Sequence, residues 1–407
     1  MTMEDAKTLA AKFDHNSTEQ MNCPYPMYEA LRAKCPVGHA ETYGGFYVVS
    51  RYDLVKKVFE DYSTFSSQQG VAIPDHPYRM LPIDLDPPLQ TKFRRNLNRR
   101  FTPEAVAAKR DDIDETINAL IDAFIEKGEA DLASQLVRPL LPAIVLPYLG
   151  VPRESQQQMT EWIDLMTRGR STDIEGVARA GEAIGAYLMG LIAQRRQQAP
   201  VDDVIGMLLE AGVDGSRFTD EEIFRQVLII LFGGLDTTSA VMLETLLYLA
   251  RHPEQRSKLA AGEVAWAPAI EEFVRYSSPI QGLRRTVTTD VELDGVSLKK
   301  GDRVLGLHGS ANRDERAFTN PNEVVLDRAP NQHVGFGTGA HICLGRNLAR
   351  LEIEILLKTV FERLGDYRVE EAFEPEYLVG EARGMKSLPV RFTAGAVRAA
   401  KPQSEAA

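Results

Sequence analysis

The chain has 407 residues, 44% of them hydrophobic, which is enough for one large domain or a few smaller ones, and no linker-like stretch divides it. A net charge of −11, from 58 acidic against 47 basic residues, opposes binding to nucleic acid or anionic membrane surfaces. The three cysteines, Cys23, Cys35 and Cys343, form no Cys-x-x-Cys pair, which argues against a disulfide framework and for a reducing, cytoplasmic setting.

Met1 to Asp14 mixes acids and lysines with short apolar runs, unlike a signal peptide or a membrane anchor. After Pro24 and Pro26 a short helical pattern covers Met27 to Lys34, and Gly44-Gly45 opens the strand Phe46-Tyr47-Val48-Val49. Asp53 is the expected cap of a helix reaching Phe59. From Ser63 to Pro88 runs a loop rich in Ser, Gln, Gly and Pro, of a length that is often functional in compact domains. Its apolar centre, Val71-Ala72-Ile73-Pro74 with Pro82-Ile83, either lines a pocket or is a surface loop pinned by prolines. Phe93, Leu97 and Phe101 then mark one helical face and leave Arg95 and Arg99 on another. With Arg100 these read most simply as a solvated basic face. From Pro103 to about Ala211 successive amphipathic helices are expected, with Ile117, Leu120, Ile121 and Phe124 as one core stripe.

Thr219-Asp220-Glu221-Glu222 is a capping-box start, and the helical pattern persists to about Arg251, where His252-Pro253 stops it. At 1.5 Å per residue this helix is roughly 48 Å long and crosses a whole domain. Its apolar run is interrupted by Gly233-Gly234 and then by Asp236, Thr237, Thr238 and Ser239. Interior glycines cost about 1 kcal/mol each relative to alanine, and buried polar groups add to that cost. Either the glycines form a packing notch with the threonine hydroxyls bonded to the preceding turn, or they open a groove flanked by an acid and an alcohol that pass protons. Glu272 and Arg275 follow, three apart on one helical face. Val287 to Leu305 is the clearest hairpin pattern, turning at Asp294-Gly295.

Phe336-Gly337-Thr338-Gly339-Ala340-His341-Ile342-Cys343-Leu344-Gly345 delivers Cys343 to the start of an apolar helix marked by Leu348, Leu351 and Ile355 and reaching Phe361. Gly337 and Gly339 permit backbone angles closed to other residues, and Gly345 lets the helix begin close behind the sulfur. A cysteine at a helix N-terminus is biased towards the thiolate, a metal ligand or nucleophile; a small buried core cysteine is the plain alternative. The order Phe-x-x-Gly-x-His-x-Cys-x-Gly resembles the haem-binding loop of the cytochrome P450 family, with His341 where arginine is often found. Gly233 to Thr237 is similar to that family's oxygen-activation segment, Glu272 and Arg275 to its structural ion pair, and Ser387 to Phe392 to its last strand. The likeness extends from about Pro24 to Phe392. At Val324 many relatives have an aromatic residue, so looser packing is expected under the loop.

The resemblance implies a mainly α domain with small β-sheets over residues 24–392, a lead-in over 1–23 and a flexible tail over 393–407. Haem b would lie between the long central helix and the cysteine-bearing helix. Cys343 would be its iron ligand within a loop shaped by Phe336, Gly339 and Gly345. Arg94, Arg285 and His341 would bind the propionates, together with Gln90, where many members have histidine. Asp236 and Thr237 would be the acid–alcohol pair that delivers protons during O2 activation, and Glu272 and Arg275 would be scaffold. The candidate lining, Val71, Ile73, Ile229, Phe232, Gly233, Leu283 and Met385, is apolar and favours a small hydrophobic substrate over a sugar or nucleotide. The soluble bacterial branch of the family implies electrons from NAD(P)H through a ferredoxin reductase and a [2Fe-2S] ferredoxin, with Arg95, Arg99 and Arg100 as the dock. Two other readings share the cysteine: a peroxide-driven haem-thiolate peroxygenase and a non-catalytic haem-binding sensor.

Overall fold

Thr219 Oγ1 accepts a hydrogen bond from Glu222 N at 3.2 Å, and the Glu222 carboxylate accepts one from Thr219 N at 2.9 Å. This capping box satisfies two of the free amides at a helix start and launches Asp220–Arg251, which stays helical through Gly233 and Gly234. The structure is a computed structural model that describes residues 2–76, 78–168 and 173–398. Among these residues Asp220–Arg251 is the one helix long and apolar enough to cross a membrane, but other helices cover it. Arg138–Leu149, Trp266–Ser277 and the helix Arg346–Arg363 that follows the cysteine loop all pack against it. Gly234 accommodates the approach of Arg138–Leu149, because a Cβ there would meet Val145 Cγ2 at 3.2 Å.

Beside the helical core lies a five-stranded sheet in the spatial order Val37–Ala40, Phe46–Val49, Arg303–Gly306, Leu283–Val287 and Phe65–Ser66. The expected hairpin is present in two parts. Leu283–Val287 and Arg303–Gly306 pair antiparallel in this sheet, while Val291–Leu293 and Val296–Leu298 form a separate ladder closed by Asp294 and Gly295, both at positive φ. The mainly α architecture with small sheets is therefore as expected.

Several local expectations are corrected. Arg51, not Asp53, occupies the N-cap of Tyr52–Glu60 and makes no side-chain capping bond, while the free amide of Tyr52 is taken by the distant carboxylate of Asp314 at 2.9 Å. The stretch 103–211 is not purely amphipathic helices. Strand Glu129–Asp131 pairs with Pro389–Arg391, and Arg138–Leu149 is buried on most of its circumference. Val324 is 6% exposed and sits in the main core, and its neighbour Val325 donates its N–H to Glu272 at 2.8 Å, so this segment is firmly held. In the lead-in, Ala6, Ala10 and Phe13 share a core cluster with Tyr28 and Phe46. Thr393 is bonded to Asp366 through both its amide and its hydroxyl. Residues 399–407 of the tail lie outside the described residues.

Glu272 and Arg275 are both fully buried and joined by two hydrogen bonds of 2.7 and 2.8 Å. Arg275 also donates to the carbonyls of Asn312, Pro321 and Glu323, and Glu272 accepts from Val325 N, Arg328 and Asn331. A buried ion pair is tolerable when its remaining donors and acceptors are filled in this way. The result is a knot that fixes the 312–331 segment just before the cysteine loop.

Candidate active site

The cysteine loop is held from three directions. Within it, Gly337 and Gly339 have φ of 72° and 66°, and Cys343 N donates to Phe336 O at 2.7 Å. A Cβ on Gly339 would meet Phe59 O at 2.9 Å, so the loop presses directly onto the helix Tyr52–Glu60. On another side, Gln90 donates through Nε2 to Ala340 O at 2.7 Å, and Arg94 donates to the carbonyl of Ile342. Both come from one face of Leu89–Asn98. On the third side, the Arg350 guanidinium lies 4.6 Å from the Phe336 ring centroid and pairs with Glu271. Burial alone would raise the Glu271 carboxyl, but bonds from His333 and Arg350 bring it down to about 2.

Cys343 does not acquire a thiolate from this setting alone. Burial pushes its thiol up, against the Gly345 N–H and the charges of Arg94, Arg346 and Arg350, which pull it down. The dipole argument made from sequence is outweighed by desolvation, and Arg346–Arg363 starts beyond the sulfur. A ligated metal cation deprotonates a thiol outright.

Cys343 opens onto a cavity of about 640 Å³ whose opposite wall is the central helix. Val71, Ile229, Phe232, Gly233 and Leu283 line it as expected, and Asp236, Thr237, Arg94, Phe336, His341 and Gly345 face the same space. Ile73 and Met385 do not line it. Ile73 packs with Phe13 and Phe46 in a separate cluster, and Met385, 1% exposed, is in the main core. The central glycines show both a packing contact, at Gly234 against Val145, and an open groove, at Gly233. A Cβ on Gly233 would meet nothing within 4 Å, which leaves a groove, and Thr237 Oγ1 donates to Gly233 O at 2.8 Å.

Arg285 is not among the lining residues; it is 1% exposed, with its guanidinium 4.7 Å from the Phe59 ring and one donor on Arg284 O at 2.7 Å. Burial lowers it to about 10 against the opposing charges of Asp86 and Asp84. His341 Nε2 is 3.3 Å from Ser67 Oγ, and burial, with Arg285 and Arg94 adding, pushes the ring down to about 3. Two cavity residues carried no signal in the sequence. His308 stacks on Phe59 at 4.4 Å and is likewise driven to about 3 by burial and Arg285, and Glu352 is pushed up to about 8 by burial. His76 and Glu381, also in the lining, pair at 2.5 Å. Of the basic face, Arg95 and Arg99 are exposed, whereas Arg100 is tied to Asp202 and to Asp203 O.

These residues fit a flat metal-bearing group with acidic side arms. The sulfur is positioned for the metal, and the guanidiniums of Arg94 and Arg285 and the ring of His341 can hold carboxylates. The buried Nδ1 of His308 has no partner from the chain.

Comparison with known proteins agrees with this geometry. The family model described as Cytochrome P450 matches residues 152–262 and 267–371. The chain is 34% identical over 375 residues to a steroid C26-monooxygenase of Mycolicibacterium smegmatis, covering 91% of this chain and 92% of the other. It is 32% identical over 389 residues to a methyl-branched lipid omega-hydroxylase of Mycobacterium bovis, covering 90% of each. The crystal structure of CYP109E1 from Bacillus megaterium in complex with testosterone superposes with a TM-score of 0.82 at 31% identity, covering 93% of this chain and 100% of that one. The loop around Cys343, the grooved helix opposite it and these likenesses lead to one conclusion: the chain belongs to the cytochrome P450 family and is a monooxygenase.

Proposed function

We propose that the chain binds haem b in the cavity between Cys343 and the central helix and oxidises an elongate apolar substrate of lipid or steroid type, with electrons delivered by a ferredoxin and its reductase. The observation that carries this reading is the position of Cys343 opposite the groove at Gly233 to Thr237, across one largely apolar cavity. Cys343 would ligate the iron, and Arg94, Arg285 and His341 would hold the carboxylates by charge-assisted bonds. When bound, the haem supplies the redox chemistry that activates O2 and inserts one oxygen atom into a C–H bond, favoured by a thiolate ligand.

The chain's own residues would do the rest. Gly233 leaves room at the groove for a small molecule. The Thr237 hydroxyl gives its proton to Gly233 O and keeps its lone pairs free to accept a hydrogen bond at the cavity. Asp236, one residue earlier and in the same lining, would carry protons from solvent to Thr237 Oγ1. Val71, Ile229, Phe232 and Leu283 would exclude water and bury the apolar body of the substrate. The substrates named for the steroid and lipid relatives support this class.

The test is the absorption spectrum of the ferrous protein under carbon monoxide. Wild type is expected to show a Soret band far to the red of a histidine-ligated haem, and Cys343→Ala is expected to lose it. A histidine-like band in wild type would end the proposal. Product formed with NAD(P)H, reductase and ferredoxin, but not with peroxide alone, separates the monooxygenase from a peroxygenase.

A further inference from the structure

His308 is a cavity residue that the roles above leave without work. It opens the short helix His308–Ala311, is 4% exposed, and its Nδ1 is sealed from solvent with no hydrogen-bond partner. Native proteins rarely leave a buried polar atom unpaired unless water, an ion or a ligand completes it.

The surroundings of the ring select among these. Its stack on Phe59, with an interplanar angle of 22°, fixes its plane. The guanidinium of Arg285 contacts the same Phe59 ring at 4.7 Å, so a cation and an imidazole share one aromatic support. Arg285 spends one donor on Arg284 O. Of the two carboxylates whose charge acts on Arg285, Asp86 accepts from Ser66 Oγ and from Ser67 N at 2.9 Å, and Asp84 accepts from Met80 N at 2.7 Å. Burial and the charge of Arg285 keep His308 neutral at ordinary pH, so it carries one N–H to give. A buried cation and a buried neutral donor packed on one phenyl ring suit an anionic ligand such as a carboxylate.

We propose that His308 donates a hydrogen bond to the haem carboxylate that Arg285 neutralises, so that this carboxylate is gripped by a guanidinium and an imidazole together. The inference rests on the haem reading of Cys343. His308 is thus a positioning residue for the cofactor and does not touch the substrate.

The experiment compares wild type, His308→Phe and His308→Gln as purified holoenzymes. Phenylalanine keeps a ring to stack on Phe59 and lacks the donor; glutamine keeps a donor. The readouts are the rate of haem transfer to apomyoglobin and the ferric–ferrous midpoint potential. His308→Phe is expected to lose haem about tenfold faster, the scale of one buried hydrogen bond to a charged group, and to shift the midpoint to more negative values. His308→Gln is expected to stay within about threefold of wild type on the same scale. Unchanged haem loss in His308→Phe overturns the proposal. Equally fast loss from both variants also overturns it, because packing alone would then account for the effect. If His308→Phe does not fold, His308→Met serves as the donor-free variant. A wild type without a thiolate-type carbon monoxide spectrum would instead reject the haem reading itself.

Discussion

Glu352 is the residue where the fold holds a proton against its ordinary chemistry. It is 2% exposed in the helix Arg346–Arg363, its Oε1 has no partner, and burial raises it from 4.5 to about 8. The folded protein therefore keeps the proton at neutral pH while the unfolded chain releases it. The stability tied to Glu352 is complete below about pH 4.5 and is lost as pH rises through about 8. Glu352→Gln is neutral at every pH and removes this dependence. We expect it to be more stable than wild type by roughly 2–4 kcal/mol at pH 8, with little difference at pH 4.5, taking about 1.4 kcal/mol per tenfold in proton affinity. Melting curves of the two proteins across pH 4.5 to 8 measure this, and a constant difference would mean that Glu352 is ionised in the fold. Glu352 and His308 escaped the reading from sequence for the same reason. A polar residue buried by tertiary packing leaves no mark on the chain, whereas Cys343, Asp236 and Thr237 sit in patterns that contradict their own helix or turn. Ile73 and Met385 show the converse, since an apolar residue in a loop faces core or cavity with equal ease.

At the scale of elements, the central helix pairs two glycines with opposite surroundings. A methyl at position 233 meets open space, while one at 234 must displace a Val145 methyl at 3.2 Å. Either alanine gains about 1 kcal/mol of helix propensity. Gly233→Ala should therefore melt above Gly234→Ala, while weakening substrate binding because its methyl narrows the groove. Reversed melting temperatures would show that Val145 yields freely. The Glu272 knot is the second element-scale case. Arg275→Ala would leave a fully buried carboxylate and three carbonyls short of donors, and we expect a loss of about 3–5 kcal/mol, read as a lower melting temperature and poorer haem retention. A melting temperature within a degree or two of wild type would mean that Arg328 and Asn331 suffice. The pair was visible in the sequence as a spacing of three. Its depth was not, because the partners Asn312, Pro321 and Glu323 arrive from a remote segment. The cap at Tyr52 was misread for the same reason: the nearest acid in sequence was Asp53, but the acid that arrives in space is Asp314.

For the whole molecule, the decisive quantity is the net charge of −11, which repels an acidic electron donor except where a local cluster of cations reverses the field. We propose Leu89–Asn98 as such a place. Gln90 and Arg94 bond its inner face to the carbonyls of Ala340 and Ile342, so the helix is fixed beside the cysteine loop. Arg95 lies on the exposed side of this helix and Arg99 just past its end, with no ion pair to either among the described residues, whereas Arg100 is already neutralised by Asp202. The arginine cluster expected from sequence is thus reduced to two exposed charges on and just past this helix. Arg95→Glu and Arg99→Glu should each slow reduction by a [2Fe-2S] ferredoxin by about three- to tenfold at low salt, while Arg100→Glu, which also loses its partner, should have less effect on the rate than on stability. Because the screening length falls to about 3 Å at 1 M salt, these differences should shrink as salt is added. Haem content and the carbon monoxide spectrum should not change, since neither side chain reaches the cavity. Stopped-flow reduction of the variants across a salt series is the measurement. Equal rates for wild type and both variants at low salt would move the docking site away from this helix.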